Sequence, residues 1–138
     1  MTVPSLHFDY DEFVSLSDEK LVEYADPLAN TAELSISKED LEQLRKHLDD
    51  YGEYHLVYAL EIGTDNFPET FSPEVPRFLA NQMISVYCAA DRVLRRLDAR
   101  FITPKLLLQI KNVFDDANDE RKSFLQNLLT DLKDKADA

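Results

Sequence analysis

The chain has 138 residues, with 27 Asp and Glu against 15 Lys and Arg, which gives a formal charge of −12. Residues 1–76 carry 18 acidic and 4 basic side chains, a net charge of −14, whereas residues 77–138 carry 9 and 11, a net charge of +2. The acidic half repels the phosphates of DNA or RNA and attracts a basic protein. We therefore expect a basic protein partner and no direct nucleic-acid partner.

Length and motifs exclude several further classes of protein. Domains most often have about 100–150 residues, so residues 1–138 are expected to form a single acidic helical domain. No apolar stretch approaches the roughly 18 residues that cross a bilayer, so no membrane partner is expected. The opening MTVPSLHFDYDEF lacks the basic and apolar regions of a secretory signal. The single cysteine, Cys88, rules out an internal disulfide and favours a cytoplasmic location.

The first 36 residues are expected to be the least regular part of the chain. Between Tyr10 and Tyr24 apolar residues recur at helical spacing, with a break near residues 15–17 and an end at Pro27. Residues 32–36 alternate apolar and polar side chains, which permits a short strand. With no second strand to pair with, we expect extended chain there.

A clear helix is expected to begin after Ser37, because Ser37 and Asp40 resemble a capping box. Gly52 leaves two possibilities, one helix to Ile62 or two helices over about 38–50 and 53–62, since glycine costs about 1 kcal/mol inside a helix. The apolar stripe of this region has alternating spacings of three and four: Leu41, Leu44, Leu48, Tyr51, His55, Tyr58 and Ile62.

Gly63 is the expected stop of that helix, and residues 63–76 contain three of the six prolines. We expect a long loop there. A second apolar stripe predicts a helix near 74–99. Its members are Leu79, Met83, Val86, Ala90, Val93 and Leu97.

Thr103 and Pro104 are typical of the start of a helix, which is expected to extend to about 117. After a turn within 115–120, a last helix near 119–135 is expected, with Phe124 on its apolar side and a frayed tail at 133–138. The fold class predicted is all-α, an antiparallel bundle of four to six helices.

No pattern of catalytic or ligand-binding residues is found, so we expect no catalytic site, no metal, no cofactor and no enzyme. No Glu or Asp stands three residues before any of the three histidines, as a di-iron bundle requires. Two glycines cannot build a phosphate loop. Cys88 lies in an apolar helical segment and is expected to be buried and inert, and His55 is expected to be a hydrogen-bonded core or boundary residue.

Two clusters that mix carboxylates with tyrosines are the candidate partner-binding residues. Such clusters suit a basic protein, because carboxylates bind Arg and Lys while tyrosines supply rigid contact area. The first cluster comprises Tyr10, Asp11, Glu12, Asp18, Glu19, Glu23, Tyr24 and Asp26, and the second comprises Asp49, Asp50, Glu53 and Tyr54.

Arg92, Arg96 and Arg100 lie at helical spacing and form a basic stripe, joined by Arg95. The stripe has two interpretations. It can bind phosphate or RNA, or it can pair within the chain with acidic residues of the N-terminal half, which we favour.

In size, acidity and lack of catalytic motifs the chain resembles bacterial immunity proteins and antitoxins. The resemblance implies a non-enzymatic protein that neutralises a basic partner by occluding the active groove of a toxin nuclease domain. Alternatives are an acidic secretion chaperone or regulatory adaptor acting as a homodimer, a DNA-mimic inhibitor, and an RNA-binding helical factor that uses Arg92–Arg100. Sequence does not choose between a monomer and a homodimer.

Overall fold

A computed structural model describes residues 6–29 and 34–137. These residues are 78% helical and form eight α-helices, which confirms the all-α class and exceeds the expected four to six helices. The helices are α1 (Tyr10–Ser15), α2 (Asp18–Ala29), α3 (Lys38–Lys46), α4 (Glu53–Asn66), α5 (Pro68–Phe71), α6 (Ile84–Arg95), α7 (Pro104–Asp116) and α8 (Asp119–Asp137).

The described part of the N-terminal segment contains two short helices and two strands, and residues 32–33 of the expected extended chain lie outside the described residues. Two short strands, β1 (Leu6–His7) and β2 (Leu34–Ser35), pair in parallel, so the prediction of unpaired extended chain is wrong at residues 34–35. Strands of two residues are too short to leave an alternating pattern in the sequence. The predicted break between α1 and α2 is confirmed, but α2 continues through Pro27 to Ala29 instead of ending there.

The capping interaction predicted for α3 is confirmed, since the Ser37 hydroxyl accepts a hydrogen bond from the Asp40 backbone N–H at 3.1 Å. Gly52 does split the long stripe, and it is the N-cap of α4. Its φ of −69° and ψ of 172° are extended, so the helical path is interrupted just before Glu53. Of the two arrangements, the one with two helices is therefore correct, with α3 ending at Lys46.

The predicted stop at Gly63 and the predicted loop over residues 63–76 are both wrong. Gly63 lies inside α4 and is buried, and a Cβ built on it would overlap the Phe71 ring, with Cζ at 2.6 Å. Glycine serves here for close packing of α5 against α4. The prolines begin helical turns instead of breaking them: Pro68 starts α5, and Pro73 and Pro76 lie in the first turns of 3₁₀ helices.

The helix expected near 74–99 is shorter than predicted. Residues 76–80 form a 3₁₀ helix, the chain becomes extended at Asn81, and α6 begins at Ile84. The Asn81 side-chain oxygen accepts a hydrogen bond from the Met83 backbone N–H at 2.8 Å. This local bond competes with helical pairing, which explains the break in a continuous apolar stripe.

The two C-terminal helices match the prediction closely. Thr103 caps α7 through a 3.1 Å hydrogen bond from the Leu106 N–H, and the turn lies at Ala117 and Asn118. Helix α8 extends to Asp137, two residues beyond the expected end, and Lys135 Nζ donates to the Arg95 carbonyl at 2.9 Å. Fraying of the tail stays a prediction, and Ala138 lies outside the described residues.

Buried apolar side chains form one cluster that draws on all the long helices. Helix α4 is central, because it packs against both α2 and α6, while α7 packs against α8. No helix within the described ranges is long and apolar enough to cross a membrane.

Candidate functional site

Five of the exposed carboxylates of α1 and α2 have no ion pair in the described part of the chain. Both helices bury a narrow apolar face, with Phe13 in α1 and Leu21, Ala25 and Leu28 in α2, and turn their polar residues to solvent. Five exposed carboxylates form neither an ion pair nor a side-chain hydrogen bond among the described residues. These unpaired carboxylates are Asp11, Glu12, Asp18, Glu19 and Glu23.

Tyr24 connects α1, α2 and α3. Its hydroxyl accepts a hydrogen bond from the Asp9 backbone N–H at 2.9 Å. Burial raises the pKa of Tyr24, and the nearby carboxylates of Glu12, Asp9 and Asp40 raise it further. The phenol therefore stays neutral, and the acidic side chains near it come from α1, from the N-cap of α1 and from α3.

The two predicted clusters meet at one point, around His47. The Tyr10 ring of the first cluster stacks on the His47 ring, with centroids 6.3 Å apart. The same imidazole lies 3.0 Å, Nδ1 to Oδ2, from Asp50 of the second cluster. Burial raises the pKa of Tyr51, and a hydrogen bond with Tyr10 adds to the effect. Tyr10 and Asp50 are therefore parts of one surface.

The remaining members of the second cluster face another direction. Asp49 pairs with Arg77 at 3.4 Å, and the Glu53 carboxylate accepts a hydrogen bond from the Ser85 hydroxyl. Tyr54 is exposed. The structure therefore brings Asp50 to the first cluster and directs Asp49 and Glu53 toward the 3₁₀ helix at 76–80 and toward α6. Asp26 lies toward the C-terminal end of α2. Its charge adds to the effect of burial in raising the pKa of Tyr58.

An open groove of about 830 Å³ lies between α1 and α3. Its lining contains Tyr10 and four carboxylates against a single lysine, Lys38. The carboxylates are Asp11, Glu39, Asp40 and Glu42. The groove extends the acidic surface from α1 onto α3, and Glu39 and Asp40 were not among the predicted site residues. Their position in the first turn of α3 is common for acidic residues, which favour helix N-termini for stability alone.

The basic stripe of α6 is paired within the chain. Arg92 Nε lies 2.9 Å from Glu61, and Arg96 lies 3.0 Å from Asp65, so both arginines pair with α4. Arg95 pairs with Asp91 and with Asp131 of α8. Arg100 packs over the Phe101 ring at 4.7 Å. The pairing with the N-terminal half that we favoured from the sequence is therefore present for Arg92 and Arg96, whereas Arg95 pairs within the C-terminal half.

A second groove, of about 710 Å³, lies between α6 and α8 and was missed by the sequence analysis. Cys88 lines it and is exposed, so the prediction of a buried thiol is wrong. Phe124 is 54% exposed and Ile84 is 72% exposed, so the placement of Phe124 on the apolar side of α8 is also wrong. The helical period contained a signal for Cys88: it lies two residues beyond buried Val86, which turns it about 200° away.

His55 is a hydrogen-bonded boundary residue, as predicted, with Nε2 3.1 Å from the Phe13 carbonyl oxygen. Within residues 6–29 and 34–137, no three His, Cys, Asp or Glu side chains are grouped so as to hold a metal ion. Comparisons with protein-family models, curated proteins and solved structures find no match. The chemistry of its surfaces is therefore what bears on function.

Proposed function

We propose that this chain is a non-enzymatic binding protein that neutralises a basic protein through the surface formed by α1, α2 and the first turn of α3. One observation carries the proposal. Arg92, Arg95 and Arg96 pair with carboxylates of α4, α6 and α8, whereas five of the exposed carboxylates of α1 and α2 pair with none of the described cations. A basic surface would supply those missing partners.

The contact would be driven by two kinds of side chain. Unpaired carboxylates accelerate encounter, because long-range attraction raises association rates at low salt. Tyr10 and the groove beside it supply a firmer contact, since its ring is held against the His47 ring. In the specific form of the proposal the partner is a toxin nuclease domain, and the carboxylates occupy the positive groove meant for nucleic acid.

The secretion chaperone or adaptor is the second candidate, and the exposed apolar groove between α6 and α8 is the observation that favours it. The RNA-binding alternative receives less support, because Arg92 and Arg96 already have carboxylate partners. The chaperone would retain several unrelated clients, whereas the inhibitor would retain one basic protein.

The test is affinity capture from the native lysate with stepwise salt elution, using three forms of the chain. The test variant carries Glu12→Gln, Glu19→Gln and Glu23→Gln. The control, with Asp116, Asp134 and Asp137 changed to Asn, has the same net charge but keeps the acidic surface. We expect one basic protein on the wild type and the control, eluting from the test variant at lower salt.

Purified partner then allows the association rate to be measured against ionic strength. The test variant should associate more slowly than the control at low salt, with the two rates converging at high salt. A nuclease partner should lose activity when one equivalent of the wild type is added. Capture of many unrelated proteins, or equal elution from the test and control variants, would reject the proposal.

A further inference from the structure

His47 lies where the two predicted clusters meet, and an oxygen faces each of its ring nitrogens. Nδ1 is 3.0 Å from Oδ2 of Asp50, and Nε2 is 3.2 Å from Oε1 of Gln43. A neutral imidazole has one N–H group and can donate to only one of these oxygens, whereas an imidazolium can donate to both. In the neutral state, either the Gln43 amide turns to present its NH₂ group or one oxygen loses its donor. Gain of a proton therefore changes the hydrogen bonding at this junction as well as its charge.

The charged and titratable groups near His47 come from each element that packs around it. The Tyr10 ring of α1 stacks on the imidazole, and Phe13 of the same helix contacts both Tyr51 and His55 of α4. The groove beside Tyr10 adds carboxylates, of which Glu42 already pairs with Arg45. Apart from that pair, four carboxylates lie near His47 with two lysines: Asp11, Glu39, Asp40 and Asp50, with Lys38 and Lys46. The balance is negative, so a proton on His47 reduces the charge that a basic partner would meet.

The histidines are confined to the acidic half of the chain. His7, His47 and His55 all lie there, and residues 77–138 contain none. Histidine is the side chain whose charge ordinarily changes between about pH 5 and 8. Two of the three contact α1: His47 through the Tyr10 ring, and His55 through the Phe13 carbonyl oxygen, 3.1 Å from Nε2. His47 is singled out because its ring contacts residues of both predicted clusters.

We propose that His47 makes the acidic surface responsive to pH. On gaining a proton, its ring donates to Asp50 and adds a positive charge beside Tyr10, so a basic partner binds less tightly as pH falls through the histidine range. Linkage gives the reciprocal effect, in which binding of a cationic partner favours release of a proton from His47. The inference rests on the proposed function, because it concerns the same surface.

The test is isothermal titration calorimetry of the full chain at low ionic strength, with an oligoarginine peptide of about ten residues as the basic probe. One charge near the contact is worth about a two- to fivefold change in affinity, so the wild-type Kd should be larger by that factor at about pH 5.5 than at about pH 7.5. His47→Gln, whose amide forms hydrogen bonds but does not titrate, should lose most of this ratio. The control is His7→Gln on β1, where the side chain is exposed, and it should keep most of the ratio.

Proton release gives a readout that needs no variant. At about pH 6.5, binding of the peptide to the wild type should release protons to the buffer. The apparent binding enthalpy should therefore differ between buffers of different ionisation enthalpy. An enthalpy that is the same in every buffer would contradict the proposal.

A second set of variants keeps this inference separable from the proposed function. The peptide should bind more weakly to the variant with Glu12→Gln, Glu19→Gln and Glu23→Gln than to the control with Asp116, Asp134 and Asp137 changed to Asn. If it binds the wild type at neither pH, or binds these two variants equally, both proposals are rejected. If it binds the acidic surface with the same Kd at both pH values, or if His47→Gln keeps the wild-type ratio, only the pH response is rejected.

Discussion

Helices α1 and α2 differ from helices α4 and α6 in how their charges are arranged. On α4 and α6 the carboxylates of Glu61 and Asp65 face Arg92 and Arg96, so charges of opposite sign lie across the helix contact. On α1 and α2 five exposed carboxylates form no ion pair among the described residues. The comparison separates charge that joins helices from charge that is available to another molecule.

The largest effect is expected from disturbing α4 itself, by Gly63→Ala. The added Cβ would overlap the Phe71 ring, which is fully buried and has little room to move. Overpacking of this kind costs about 1–3 kcal/mol, so the free energy of unfolding measured in urea should fall by that amount. Such a loss would show that α4 and α5 are close-packed where the sequence predicted a loop.

Two further variants sharpen that test. Gly52→Ala adds the same group where no atom lies within 4 Å, and it should cost less than about 1 kcal/mol, mainly through a poorer N-cap. In a Phe71→Ala background the penalty of Gly63→Ala should largely disappear, because the overlapping ring is gone. An equal penalty in both backgrounds would mean that the ring is not the cause.

Asp65→Asn is expected to change the free energy of unfolding by a smaller amount, and the change should depend on pH. Burial raises the pKa of Asp65, and the nearby Arg96 guanidinium opposes the rise only in part. The neutral Asp65 carboxyl thus contributes its full stability at a pH below the pKa it has in the unfolded chain. That contribution is lost as pH rises through the higher pKa of the folded chain. Asparagine does not ionise, so the stability of the variant relative to the wild type should improve from acid to neutral pH.

Denaturant unfolding of both proteins over that pH range measures the difference. Because the Arg96 pair is exposed to solvent on one side, it contributes about 1 kcal/mol or less to stability. If the variant instead becomes less stable relative to the wild type as pH rises, the ion pair with Arg96 outweighs the cost of burying the carboxylate.

The smallest effect on stability is expected from Glu12→Gln, Glu19→Gln and Glu23→Gln together. Loss of the first-turn carboxylates of Glu12 and Glu19 weakens the interaction with the dipoles of α1 and α2, and loss of mutual repulsion among the three carboxylates offsets it. The free energy of unfolding should change by less than about 0.5 kcal/mol and should converge with that of the wild type in salt. A loss of more than about 1 kcal/mol in the free energy of unfolding would mean that these carboxylates stabilise the fold.

Local signals in the sequence predicted the parts of the fold that depend on neighbouring residues. Ser37 and Thr103 cap α3 and α7 as their sequence context indicates, because a cap needs only the next three residues. Gly63 and Pro68 were misinterpreted because their roles depend on packing between elements. A glycine beside a tightly packed ring and a glycine at a helix end look alike in sequence.

The candidate surfaces divide in the same way. The carboxylates of α1 and α2 could be predicted as exposed, because a charged residue on a helix is rarely buried. That Tyr10 and Asp50 meet at His47 depends on how α1 packs on α3, which no local pattern contains. The groove between α6 and α8 requires two helices whose contact is set by the rest of the core.

Strand β1 and the last turn of α8 are both held in place by backbone contacts, and each offers a position for a fluorescent label. Strand β1 lies just before α1, and the last turn of α8 lies beside the groove between α6 and α8. Leu6 pairs with Leu34, which ties β1 to the chain just before α3, and Lys135 is bonded to the Arg95 carbonyl beside the groove of α6 and α8. A dye on β1 would therefore report binding near α1, and a second dye on the last turn of α8 would report binding near the groove between α6 and α8. Because the chain has no tryptophan, its own fluorescence comes mainly from tyrosine and would interfere little with the emission of either dye.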